Sequence, residues 1–71
     1  MKLHIDKEAD ALYLRLDNSD IVESEEVSPG VAFDYNETNE VVGVEMLYLS
    51  KRSANLNLSA LECQTTHVIL L

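Results

Sequence analysis

The sequence predicts a mainly β domain with a minor α contribution: an antiparallel meander of about four strands with a short C-terminal helix or arm. Two observations predict this class. Apolar and polar residues alternate with the period of two that a half-buried strand requires, and clusters of turn-forming residues separate the alternating segments. No long helical period interrupts them, so sequential strands are expected to pair with their neighbours.

The first hairpin is the clearest element of the sequence. Leu3 and Ile5 alternate with polar neighbours, residues 6–10 form a polar link, and residues 12–16 resume the alternation with leucine at every second position. Short polar side chains in such a link hydrogen-bond to nearby backbone, so turn formation and solvation account for the charges of this segment.

Turn signals and further alternation continue to residue 46. Residues 17–20 form a turn cluster, and residues 21–27 are acidic and alternate weakly, which is typical of an edge strand protected by its carboxylates. The proline and glycine at 29–30 predict a type II turn, because proline presets φ at the first central position and glycine tolerates a positive φ at the second. Gly43, within the last alternating segment, indicates a bulge or a close backbone approach on the outer face.

The C-terminal quarter carries weaker signals. Residues 1–52 are interpreted as the β-meander domain, and residues 53–71 as a C-terminal arm that packs on the same or a neighbouring subunit. A capping box that begins at Ser59 predicts a helix of one or two turns around residues 58–63. The apolar segment from Thr66 onward is expected to form either a further strand or a disordered end.

Composition limits the class of protein. The chain has 71 residues, with thirteen acidic and five basic side chains and a formal net charge of −8, which disfavours direct binding of nucleic acid. The lone Cys63 suits a reducing compartment. The sequence shows no secretory signal, and no apolar run approaches the length of a membrane span, so we expect a cytoplasmic protein without a membrane partner.

The apolar face of the predicted sheet needs a cover. A sheet buries its apolar face against a second layer, and only the short segment after Leu47 is available within the chain. A domain of this size also has a small core of its own. We therefore expect a homodimer.

Catalytic and cofactor chemistry is not indicated by any local pattern. The sequence offers no nucleophile with a nearby base and no glycine-rich phosphate loop, so an enzyme and a cofactor are not expected. His4, Asp6 and Asp10 leave open the alternative of a small metal-binding protein or enzyme, because hard cations take oxygen ligands. The spacing nevertheless lacks the glycine and the distal glutamate of a calcium loop, for which the chain has Ala11 and Asp17.

Two groups of residues are candidates for protein binding. Tyr13 and Arg15 lie on the outer face of the second strand, and both residue types are enriched at interfaces. A cross-strand pair within the sheet explains them equally well. The second group consists of acidic residues that suit a basic partner protein, namely Asp20, Glu23, Glu25 and Glu26.

Three blocks of the sequence resemble a known family. His4–Tyr13, Glu25–Val31 and Val41–Leu47 are similar, in wording and order, to the blocks of a family of small prokaryotic proteins defined only as a domain of unknown function. The resemblance covers residues 1 to about 52 and implies an antitoxin-type role, since members resemble small partner proteins encoded beside toxin-like neighbours. The leading hypothesis is thus a non-enzymatic, acidic module that binds a small basic protein, and the alternative is a homo-oligomeric structural protein without a ligand.

Overall fold

The computed structural model describes residues 1–66, and over this range it contains one five-stranded antiparallel sheet and one short helix. The elements are β1 (Lys2–Asp6), β2 (Ala11–Arg15), β3 (Glu23–Ser28), β4 (Val31–Tyr35), β5 (Val41–Met46) and α1 (Leu49–Arg52). The predicted mainly β class is confirmed. The sheet has five strands where about four were expected, because every alternating segment, the weakly alternating acidic one included, forms a strand of its own.

The strand order is β1-β2-β5-β4-β3, so β2 lies beside β5 and not beside the strand that follows it. Residues 16–22 cross the end of the sheet to its far edge. Backbone hydrogen bonds hold this connection at both ends, from Leu16 N–H to the Val42 carbonyl at 2.7 Å and from Val22 N–H to the Tyr35 carbonyl at 2.9 Å. The expectation that all sequential strands pair is therefore wrong at this one step.

The composition of the strands explains this order. Leu12 and Leu14 of β2 are paired with Met46 and Val44 of β5, so apolar side chains meet in the middle of the sheet. The acidic strand β3 takes the edge, where its carboxylates remain in water. The prediction of an edge strand over this segment is confirmed.

The turn between β3 and β4 has the predicted backbone. Gly30 has φ 75°, the positive value that the second central position of a type II turn requires. The guanidinium of Arg52 donates to the Pro29 carbonyl at 2.8 Å and to the Leu47 carbonyl at 2.7 Å, and the Leu47 N–H donates to the Gly30 carbonyl at 2.7 Å. The turn is therefore tied to the chain on both sides of α1.

The helix expected at residues 58–63 does not form, and α1 lies earlier in the chain. The Asn57 side chain accepts a hydrogen bond from the Ser59 N–H at 3.0 Å, which closes a turn. The Ser59 hydroxyl, which the capping box requires, accepts a hydrogen bond from the Lys7 ammonium at 2.8 Å. One local bond and one bond from a distant lysine thus replace the helical start.

Asp10 supplies the cap of α1 from the turn between β1 and β2. Its carboxylate accepts hydrogen bonds from the Ser50 N–H at 3.0 Å and the Ser50 hydroxyl at 2.6 Å. Its backbone carbonyl accepts from the Leu49 N–H at 3.0 Å. Asp10 itself has φ 55°, a conformation that Asp and Asn tolerate better than most residues.

The described part of the chain is a thin slab with a small core. Its principal extents are 38 × 35 × 18 Å, and Val42 and Leu49 are its buried apolar side chains. The helices of the described residues include none long and apolar enough to cross a membrane. The strand or disordered end expected from Thr66 falls, apart from that first residue, on residues 67–71, which lie outside the described range.

Candidate functional site

The two faces of the sheet differ in chemistry. One, here called the apolar face, carries the inward side of the alternation, and its members are Leu3, Ile5, Leu12, Leu14, Val31, Phe33, Val44 and Met46. The other, the polar face, carries the intervening polar and small residues. The alternation predicted from the sequence therefore corresponds to a real division of the sheet surface.

A hydrogen-bonded chain of side chains crosses the polar face. The Tyr13 hydroxyl of β2 donates to one carboxylate oxygen of Asp34 on β4 at 2.5 Å, and the Ser24 hydroxyl of β3 donates to the other at 2.5 Å. These two hydrogen bonds link β2, β4 and β3 over the polar face of β5. Burial, followed by the hydrogen bond to the Asp34 carboxylate, raises the pKa of Tyr13, because both favour the neutral phenol.

Gly43 makes this link possible. It lies on the polar face of β5, opposite Arg15 on one side and Asp34 on the other, and the Tyr13 ring passes over it. A Cβ at this position would lie 2.9 Å from Cζ of Tyr13 and 2.8 Å from Oδ2 of Asp34. The predicted close approach on the outer face is confirmed, and the β4–β5 register also shifts next to Asp34.

Arg15 is engaged within the chain. Its guanidinium donates to the Asp17 carbonyl at 2.6 Å and to the Ser19 carbonyl, so it holds the start of the connection between β2 and β3. Tyr13 and Arg15 are both half-buried on the polar face, as the alternation predicts. Tyr13 bonds across the sheet to Asp34, whereas Arg15 bonds to backbone carbonyls of the connection that follows its own strand. A role of these two residues in partner binding stays a prediction.

The four acidic candidates lie at one side of the sheet and are all exposed. We call them the acidic edge: Asp20, Glu23, Glu25 and Glu26. Glu23 and Glu25 lie opposite Tyr35 and Phe33 of β4, which places them on the apolar face, whereas Glu26 lies opposite Ala32 on the polar face. Desolvation, together with the charges of Glu25 and Glu23, raises the pKa of Tyr35.

Asp20 lies in the connection between β2 and β3, beside the β4–β5 loop. It shares a shallow polar hollow of about 340 Å³ with Glu37 and Glu40 of the β4–β5 loop. Asn36 organises that loop: its side-chain oxygen accepts hydrogen bonds from the N–H groups of Thr38 and Glu40 at 3.1 and 2.9 Å. Hydrogen bonds from Thr38 and Asn36 lower the pKa of Glu40, because they favour its charged form.

The metal alternative is not assembled in the described residues. The carboxylate of Asp10 is bound to Ser50, and that of Asp6 accepts a hydrogen bond from the Ala9 N–H at 3.0 Å. His4 and Asp6 lie on the same face of β1. Over residues 1–66 there is no group of three His, Cys, Asp or Glu side chains placed to hold a metal ion.

The apolar face is only partly covered. The arm, which beyond α1 includes Leu56, Leu58 and Leu61, lies over one corner of the face near Leu3 and Met46. A groove of about 320 Å³ remains between the arm and the sheet, and its lining is almost entirely apolar. Leu3 on the sheet and Leu61 on the arm are exposed by 41% and 60%.

The sequence pattern does not single out two residues that organise the polar side chains. Alternation places Asp34 on the outer face without a partner, but its position in register with Gly43 makes it the acceptor for Tyr13 and Ser24. Asn36 stands in a polar segment with no distinguishing signal, yet it is 8% exposed and forms the centre of the β4–β5 loop. The glycine was the available signal for Asp34, since a residue without Cβ favours contact between the side chains beside it.

The fold and these surfaces define a small single-sheet β-protein with an acidic edge strand and a partly covered apolar face. The chain belongs to the family described as "Protein of unknown function (DUF2283)", whose sequence pattern matches residues 2–50. The predicted membership of a family of unknown function is thereby confirmed. No curated protein and no solved structure matches the chain.

Proposed function

We propose that this domain is a protein-binding module that holds an extended basic segment of a partner protein along the acidic edge. The supporting observation is the position of β3, which is an edge strand of the sheet and is exposed at all six of its residues. An edge strand presents backbone N–H and C=O groups on its outward side. An extended chain can pair with these groups and continue the sheet.

The carboxylates select the charge of the added strand. Glu23 and Glu25 lie on one face of β3 and Glu26 on the other, so a strand docked there meets acidic side chains on both faces. Opposite charges on paired strands contribute about 0.2–1 kcal/mol each, whereas like charges are destabilising. A lysine- or arginine-rich strand is therefore accepted, and a second acidic β3 is repelled.

The charge of the whole chain supports the same partner. A net charge of −8 attracts a basic protein over a distance set by ionic strength and speeds its encounter with the edge. In the cell, such a module would bind and neutralise a small basic protein, as an antitoxin does. The lone cysteine suits action in the cytoplasm, and the role requires no catalysis and no cofactor.

A charge-swapped pair of peptides tests the proposal. An extended peptide that alternates lysine and valine is titrated against the protein and compared with one that alternates glutamate and valine. We expect only the lysine peptide to bind, with the largest amide shifts in the NMR spectrum along β3. The lysines of this peptide lie on one face of the docked strand, where Glu23 and Glu25 can pair with them. Replacement of Glu23, Glu25 and Glu26 by Gln removes these ion pairs and is expected to weaken binding by about tenfold.

The control variant carries the same change of net charge elsewhere. Glu8, Glu45 and Glu62 are also exposed, and their replacement by Gln leaves β3 intact. Equal weakening in both triple variants would show attraction by net charge alone and would contradict a docking strand. Amide shifts confined to β1, the opposite edge, would contradict the proposed location.

A further inference from the structure

We propose that the apolar face packs against the same face of a second copy of the chain, which forms a two-sheet homodimer and leaves the backbone edge of β3 in each copy exposed. This inference concerns the apolar face, which the acidic edge adjoins only at the β3 margin, through Glu23 and Glu25. It goes beyond the proposed binding of a basic segment and stands whether or not that segment binds.

The described residues provide one sheet and only a small second layer. A sheet domain normally buries one face against another layer, and packed sheets lie about 10 Å apart. The described residues outside the sheet include one helix of four residues, and Val42 and Leu49 are the buried apolar residues. Most of the apolar face is therefore only half-buried by the chain's own arm.

The exposed area is sufficient for a stable dimer. A compact protein of 8.0 kDa is expected to expose about 4,450 Å². The chain exposes 5,942 Å², an excess of roughly 1,500 Å² over that expectation. A standard interface removes about 800 Å² from each partner, which is less than this excess.

A second copy fits this face because its chemistry is self-complementary. The centre of the face, around Leu14, Phe33 and Val44, is uncharged, and a two-fold axis brings identical apolar patches together. The carboxylates of Glu23 and Glu25 lie at the β3 margin of the same face. An axis parallel to the strands places β1 opposite β3 of the second copy and so keeps these carboxylates apart.

The groove beside the arm adds shape to this surface. It measures about 320 Å³ and runs between the sheet and the leucines of the arm. In the dimer, apolar side chains of the second copy enter this groove, and the arm of each copy borders the sheet of the other. A flat sheet without such a depression would specify the relative position of the two copies less well.

The oligomeric state of the full chain in solution is the direct test. Sedimentation equilibrium over a dilution series is expected to show twice the mass of the 8.0 kDa chain, with dissociation on dilution. Phe33→Lys places a charge at the centre of the apolar face. We expect it to raise the dissociation constant of the dimer at least tenfold. A folded monomer at every concentration would overturn the proposal.

A neighbouring residue provides the matched control. Ala32→Lys makes the same addition one position away on the polar face, where Glu26 and Glu45 lie opposite. We expect this variant to stay dimeric. Circular dichroism verifies that both variants retain the sheet, and the wild-type mass carries the test if Phe33→Lys unfolds. Dissociation by Ala32→Lys with no effect of a folded Phe33→Lys would assign the interface to the polar face.

Discussion

Replacement of Gly43 by Ala tests how the polar face is built. In an ordinary strand position this change stabilises a protein by about 0.4–1 kcal/mol, because alanine has fewer unfolded conformations. At Gly43 the new Cβ would lie 2.9 Å from Cζ of Tyr13 and 2.8 Å from Oδ2 of Asp34. The Tyr13 ring must move, and its hydrogen bond to Asp34 is lost.

The magnitude follows from these opposing effects. A hydrogen bond to a charged group contributes about 1.5–3 kcal/mol, and overpacking costs about 1–3 kcal/mol. After subtraction of the entropic gain of alanine from these two costs together, we expect Gly43→Ala to lower the free energy of unfolding by about 1.5–5.5 kcal/mol. Urea denaturation followed by circular dichroism measures this difference directly.

A double-mutant cycle identifies the cause. Tyr13→Ala removes the ring that the new Cβ would meet, so in that background Gly43→Ala should be neutral or stabilising by about 0.4–1 kcal/mol. An equal loss of stability in both backgrounds would refute the reasoning, because it would show that Tyr13 is not the group that requires glycine.

Three further outcomes are expected. Asp10→Ala should lower the free energy of unfolding by about 1–2 kcal/mol, because it removes the cap of α1 and disfavours the positive φ. Asp10→Asn should cost less, and Asp20→Ala, at an exposed loop position, should be nearly neutral; thermal denaturation measures all three. The pKa of Tyr13 is raised in the folded state, so its contribution to stability is complete below the unfolded value of about 10 and is lost as the pH rises through the folded value. Tyr13→Phe should therefore make the free energy of unfolding fall less steeply with pH above about 10, and an unchanged dependence on pH would contradict a half-buried, hydrogen-bonded phenol. Added salt should weaken binding of the lysine peptide, because it screens the attraction between opposite charges, and should strengthen the homodimer, because it screens the repulsion between two copies that each carry a net charge of −8. The same direction of change in both affinities would contradict the assignment of the two interactions to different surfaces.

Local patterns in the sequence were sufficient to predict the strands and their faces. The period of two separates Leu12 and Leu14 from Tyr13 and Arg15, and the registers place these pairs on opposite faces of the sheet. The turn at Gly30 was likewise predictable, because only a few residues adopt its positive φ without strain. Each of these features depends on residues that are close in sequence.

Pairings between distant segments could not be read in the same way. The contact of Leu14 with Val44 depends on the choice of β5 over β3 as the neighbour of β2, and alternation is equally compatible with either. The cap that Asp10 provides to Ser50 joins residues forty positions apart. The capping box at Ser59 was a local signal, but a bond from the remote Lys7 occupies its hydroxyl.

The place of β5 in the strand order has a consequence for how the chain folds as it leaves the ribosome. The N-terminal hairpin, β1 with β2, and the later hairpin, β3 with β4, have no shared hydrogen-bonded edge until β5 arrives between them. Among the described residues, the last strand to be synthesised is the one that joins the two halves, so the sheet closes in a single late step. Nascent chains that stop before Val41 should therefore hold two separate ribbons, each too small to persist in water.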